Sequence, residues 1–293
     1  MKYFDRLHPA VAFVYFALMI AISMLTTNPV VIAVSYLSSI VFCGMLIGGK
    51  QLIVSLAYNL PLLILLSATN PIFVHKGETI LFFLNDNPVT KEAILYGVFA
   101  SMMIMSVFYW FKCYSTVMTS DKFIYLFGRI IPKLSLVLSM SIAFIPKLKR
   151  KYKEIDEAQK ALGIYSGKGM VDKIRSKFRV LSILLTNSLE SSIDTADSMR
   201  ARGYGLKGRS SYAIYKMTAS DKILCALFVL VGTASIVLIV LGTVDFNFYP
   251  TLSPISLQAL QIVAYAIITA FAFAPTILEV KENVLWRCLK SKI

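Results

Sequence analysis

The sequence predicts an all-α integral membrane protein of about six transmembrane helices, joined to long amphipathic helices on the cytoplasmic side. Three observations predict it. Of the 293 residues, 57% are apolar and only 16% charged, whereas soluble domains carry about 45–50% and about 25%. Mean hydropathy is +0.70. The charge that exists, 30 Lys+Arg against 16 Asp+Glu for a net +14, is gathered into a few segments. In a water-soluble chain that excess would suggest nucleic acid; in one this apolar it marks cytoplasmic loops, and no nucleic-acid partner is expected.

Six stretches are long enough to cross a hydrocarbon core of about 30 Å, which takes about 20 apolar residues. They run roughly over 9–27, 29–47, 52–69, 93–111, 223–243 and 255–278, and none contains Lys, Arg, Asp, Glu or His. The first follows a short segment bearing Lys2, Asp5 and Arg6, with no small-residue cleavage site after it, so it reads as an uncleaved span. Pro61 beside Asn59 predicts a kink in the third.

Orientation follows from the cations. With the N-terminus inside, the outward loops (28, 70–92 and 244–254) hold only Lys76 and Lys91, leaving 28 of 30 basic residues inside. Both termini are therefore expected in the cytoplasm of a multi-pass cell-membrane protein.

The chain divides by composition into N-terminal membrane helices (1–121), an interfacial and cytoplasmic segment (122–217), and C-terminal membrane helices with a cytoplasmic tail (218–293). Within the middle segment, 147–217 holds 16 Lys+Arg and 7 Asp+Glu. Its first helix is predicted over 134–163. It is apolar up to Ile145, crosses Pro146 into Lys147, Lys149, Arg150, Lys151 and Lys153, and stops at Gly163. A second is predicted over 171–202, about 48 Å at 1.5 Å per residue. Val171, Ile174, Phe178, Leu181, Leu185 and Leu189 form one apolar stripe along it, and Gly203 ends it. Ser188, Ser191, Ser192, Thr195 and Ala196 give its second half a small-residue face on which another helix can cross closely. Thr119-Ser120-Asp121 and Ala219-Ser220-Asp221 read as N-caps of further helices.

Several chemistries are missing from the sequence. Gly163 to Gly167-Lys168-Gly169 has the wrong spacing and no hydroxyl for a phosphate-cradling loop. The two histidines, His8 and His75, have no partner at metal-ligand spacing, and no nucleophile–base set is recognisable. Spans without ionisable residues disfavour a proton-coupled carrier. A hydrophobic body with a basic helical device remains, and such a device meets either another protein or an anionic lipid surface.

The helix ends are the specific part. The first closes on Glu157-Ala158-Gln159-Lys160-Ala161-Leu162-Gly163-Ile164, the second on Ala196-Asp197-Ser198-Met199-Arg200-Ala201-Arg202-Gly203-Tyr204-Gly205. Together with Leu7-His8-Pro9 and Phe144-Ile145-Pro146 these resemble the transmembrane T component of energy-coupling factor (ECF) transporters. That family has two long cytoplasmic coupling helices, each ending in an Ala-Arg-Gly-like motif. The resemblance implies two ATPase subunits docked on Ala161-Leu162-Gly163 and Ala201-Arg202-Gly203, with Gln159, Lys160 and Arg200 in support. It also implies a small membrane S component that captures a vitamin or metal ion. ATP would be bound by partners; this chain would be no enzyme and hold no cofactor or metal. Leu162 departs from the family arginine, so either that contact is apolar or Lys160 supplies the charge. Unequal tips favour two different ATPase subunits. Two rival readings stand beside this one. An ordinary ABC permease matches at Glu157-Ala158 and Gly163 but lacks the Leu-Pro that should follow. A stand-alone carrier would need no ATPase.

The orientation is open to test. A cysteine at Ser166, on a background lacking the native four, is expected to resist impermeant thiol reagents in right-side-out vesicles. Ready labelling across an intact membrane would reverse the topology.

Overall fold

A computed structural model describes residues 3–84, 87–128, 131–163, 169–204, 206, 215–254 and 258–290. Ser166, Ile164 and Gly205 lie outside them. The chain forms two compact units, Met1–Lys122 with Tyr215–Ile293, and Phe123–Ile214.

The first unit holds α1 (Tyr3–Arg6), α2 (Pro9–Leu25), α3 (Pro29–Ile47), α4 (Gly49–Phe73), α5 (Lys91–Val117), and, after the second unit, α9 (Ala219–Val240) and α10 (Ala259–Lys290). Among the described residues five helices, α3, α4, α5, α9 and α10, are long and apolar enough to cross a membrane. The sixth expected span, α2, has only 17 residues, about 26 Å. It lies in the core instead of at its rim: Val11, Tyr15, Phe16, Met19 and Ile22 are all fully buried.

Local chemistry sets the boundaries. Pro9 and Pro29 occupy the first turns of α2 and α3, where a missing N–H costs nothing. His8 Nδ1 accepts the Ala10 N–H at 3.2 Å, and Asn28 Oδ1 accepts that of Val30 at 2.9 Å. The cap expected at Ala219-Ser220-Asp221 is shifted: Thr218 is the cap, and it exchanges hydrogen bonds with Asp221 in a capping box. Helix α4 is continuous through both Pro61 and Pro71. Both α5 and α10 outrun their expected spans, so Lys112 is helical. The 70–92 loop contains an unexpected antiparallel hairpin of β1 (Ile80–Leu84) and β2 (Asn87–Thr90).

The core is an aromatic cluster around Tyr15, whose ring lies 5.0–5.9 Å from those of Phe4, Phe16, Trp110, Phe228 and Phe271. Pro275 in α10 lacks the N–H that would satisfy the Phe271 carbonyl four residues back. The Tyr15 hydroxyl lies 3.4 Å from that oxygen and 3.1 Å from the Ala272 carbonyl, which also accepts Ser38 Oγ at 2.6 Å. A second buried chain links α2, α3 and α5: Ser23 to Ser35 at 2.7 Å, Ser35 to Ser106 at 2.7 Å, and Trp110 Nε1 donating to Ser35 at 3.1 Å. Helices can approach closely here; a Cβ on Gly97 of α5 would meet the Ser67 carbonyl of α4 at 2.5 Å.

The second unit contains most of α6 (Ser120–Gly128), with α7 (Pro132–Ala161) and α8 (Met170–Ala201), which pack on each other. Helix α7 passes through Pro146 without a break.

Tyr15→Phe removes the hydroxyl that serves the carbonyl freed by Pro275. It is expected to cost about 1 kcal/mol of stability, by analogy with other buried hydrogen bonds. Thermal unfolding in detergent checks this. Tyr15→Phe combined with Pro275→Ala, which restores the helical N–H, should recover most of the loss.

Candidate partner-docking site

Two helix tips share one backbone geometry. At the end of α8 the cap residue Arg202 (φ −80°, ψ 8°) is followed by Gly203 at φ +78°. Gly203 N–H donates to Arg200 O at 2.9 Å and Tyr204 N–H to Met199 O at 3.0 Å, the paired bonds of a Schellman stop. At the end of α7, Leu162 (φ −75°, ψ 1°) precedes Gly163 at φ +70°, and Gly163 N–H donates to Lys160 O at 3.0 Å. The left-handed residue in each case is glycine, the one type that pays no Cβ penalty there. Both motifs therefore turn the chain aside immediately after the residue that varies between them.

That residue is exposed in both. Leu162 is 71% accessible, and Arg202 is exposed with no side-chain partner among the described residues. Backbone bonds close the Arg200 and Met199 carbonyls without the guanidinium. Ala161 and Ala201 are the last helical residues and are exposed too. Arg200 Nη1 lies 4.0 Å from Asp197 Oδ1 in an exposed pair, which contributes little. Lys160 bonds Asp156 at 2.6 Å, and that hydrogen bond and charge push its pKa up. Lys160 is thus tied to its own helix beside Leu162. Gln159 is half-buried, with Oε1 buried and unbonded.

The small-residue face of α8 is only partly covered. Ser176, Val180 and Leu184 are buried, and Ser188, Ser191 and Thr195 continue that stripe half-buried, while Ser192 and Ala196 are exposed. Ser188 and Thr195 hydroxyls donate back to Leu184 and Ser191 carbonyls at 2.6 Å. The apolar stripe read from the sequence lies outside: Val171 is 76% exposed, Phe178 66% and Leu189 68%. Its exposure was not anticipated, since periodicity shows that a helix has an apolar face without showing what covers it. No group of three or more potential metal ligands occurs among the described residues.

Comparison with known proteins bears on these tips. The profile of the CbiQ family, described as cobalt transport protein, matches residues 3–212, a stretch containing both tips. A Listeria innocua energy-coupling factor transporter transmembrane protein, EcfT, is 30% identical over 184 residues, covering 58% of this chain and 69% of the relative. The Streptococcus equi protein of that name is 26% identical over 186 residues, covering 58% and 68%. The Lactococcus lactis one is 38% identical over 94 residues. That alignment and the one with the Lactobacillus helveticus relative span 35% and 37% of those relatives' lengths. The chain belongs to the CbiQ family and is a membrane-embedded T component of the energy-coupling factor transporter type.

Proposed function

We propose that this chain couples ATP hydrolysis on two cytoplasmic ATPase subunits to movement of a small substrate-capturing S component, for uptake of a vitamin or transition metal. The reading rests chiefly on the pair of tips: two packed helices end in one backbone geometry, each presenting a free side chain. A cation at a helix C-terminus is favoured by the macrodipole. Arginine adds a planar fork that holds carboxylates bidentately, which suits an acidic groove on an ATPase. On this reading both termini and the tips face the cytoplasm, in keeping with the cation bias, and ATP is bound by the partners.

Leu162 replaces the fork with an apolar side chain on the same backbone, and Lys160 beside it is engaged by Asp156. On this reading the contact at this tip is either apolar or charged through the remaining donors of Lys160, and two different ATPase subunits suit the pair better than two copies of one. The exposed stripe of α8 supports a protein partner, because a contiguous apolar face of this kind marks an interaction surface.

Variants at the two tips test the proposal. If Arg202 docks into a partly desolvated acidic pocket, Arg202→Ala is expected to cost about 2–5 kcal/mol in ATPase affinity. Arg202→Glu should cost more, through like-charge repulsion, and Arg202→Lys less. Leu162→Ala should weaken docking with little salt dependence, and Leu162→Arg should be tolerated. Pull-down of each ATPase subunit, with uptake measured in parallel, reads these effects. Normal association and uptake for Arg202→Glu would remove Arg202 from the mechanism.

A further inference from the structure

A groove of about 710 Å³ runs between α4 and α5 of the first unit. Its wall is apolar and open: Val54, Tyr58, Phe108 and Phe111 line it and are 54–80% exposed. Its polar groups lie at one end. Lys112 Nζ donates to Ser55 Oγ at 2.7 Å, and Gln51 lies one turn before Ser55 on the same face of α4. Lys112 is five residues from the end of α5 and Ser55 six from the start of α4, which puts both about 8–9 Å inside the helix termini. With the helix ends at the bilayer surface, that depth is where headgroups give way to acyl chains, since a bilayer of about 40–45 Å has a core of about 30 Å.

We propose that this groove holds an anionic phospholipid of the leaflet in which α4 begins and α5 ends, its phosphate on Lys112 and one acyl chain along the aromatic wall. Charge supports this occupant. Neither helix carries an acid except Glu92, at the opposite end of α5, and exposed Lys50 adds a second cation beside Gln51. A lysine at this depth ordinarily snorkels toward water. Here the ammonium is held across the groove by Ser55, and two of its three N–H donors remain for a phosphate. Asn59, the polar residue beside Pro61 in the sequence, lines the deeper part and offers an amide to an ester carbonyl.

The test uses the full chain in nanodiscs of equal phosphatidylglycerol and phosphatidylcholine, extracted into detergent, with retained lipid identified by native mass spectrometry. Phosphatidylglycerol should be retained over phosphatidylcholine, and Lys112→Gln should reduce that preference about fivefold, the effect of one lysine near an anionic surface. Lys112→Arg should preserve it. Equal retention of the two lipids, an undiminished preference in Lys112→Gln, or displacement by free inorganic phosphate would overturn the proposal. So would a photo-crosslinker at Asn59 that captures protein in native membranes; a lipid adduct is expected.

Discussion

A bilayer interior offers no water to hydrogen-bond, so every backbone polar group that enters it must find a partner inside the protein. That constraint organises the membrane unit. Helices satisfy themselves except where proline intervenes, and the Pro275 defect in α10 is met by Tyr15 from α2, with Ser38 from α3 bonding the adjoining Ala272 carbonyl. The ring that carries the hydroxyl is also the centre of the aromatic cluster. One residue therefore fixes a polar defect and the packing around it. The Ser23–Ser35–Ser106 chain does the same on a smaller scale between three helices.

A body built this way has little polar specificity to spare for partners. Specificity moves to the helix ends, where unsatisfied groups and charge are tolerated. The tips of α7 and α8 show the division of labour: glycine sets the turn, backbone bonds close the helix, and the preceding side chain is left with no structural duty. Leucine and arginine can then stand on one geometry without disturbing either helix. The proposed coupling would demand such rigidity, since a force delivered at a tip travels along helices of 30 and 32 residues only if the end does not fray. On the proposed reading, the exposed apolar stripe of α8 is a surface for another subunit to cover.

Much of this was legible in the sequence. Uninterrupted apolar runs locate the spans because the bilayer demands them, and Gly163 and Gly203 locate the helix ends because only glycine sits easily at positive φ. What was hidden depends on tertiary context. The hairpin at 80–90 pairs Ile80, Phe82 and Phe83 with Thr90, Val89 and Pro88, and no alternation announces it. Thr218 rather than Ala219 caps α9 because the reciprocal bond to Asp221 selects it. Of the small residues expected to share one face of α8, Ser188, Ser191 and Thr195 are half-buried while Ser192 and Ala196 are exposed, a matter of helix rotation that composition does not encode. Lys112 lies just past the expected span because its charge suggests water, whereas α5 continues to Val117 and the ammonium bonds Ser55.

The central claim is that this chain works only as the link between separate energising and substrate-capturing subunits. Affinity purification of the tagged chain from its own membranes, with every co-purifying protein identified and counted, tests it most directly. The account predicts two nucleotide-binding subunits of different sequence and one small hydrophobic membrane protein for each copy of the chain. Recovery of the chain alone, still able to drive solute uptake when reconstituted by itself, would contradict it.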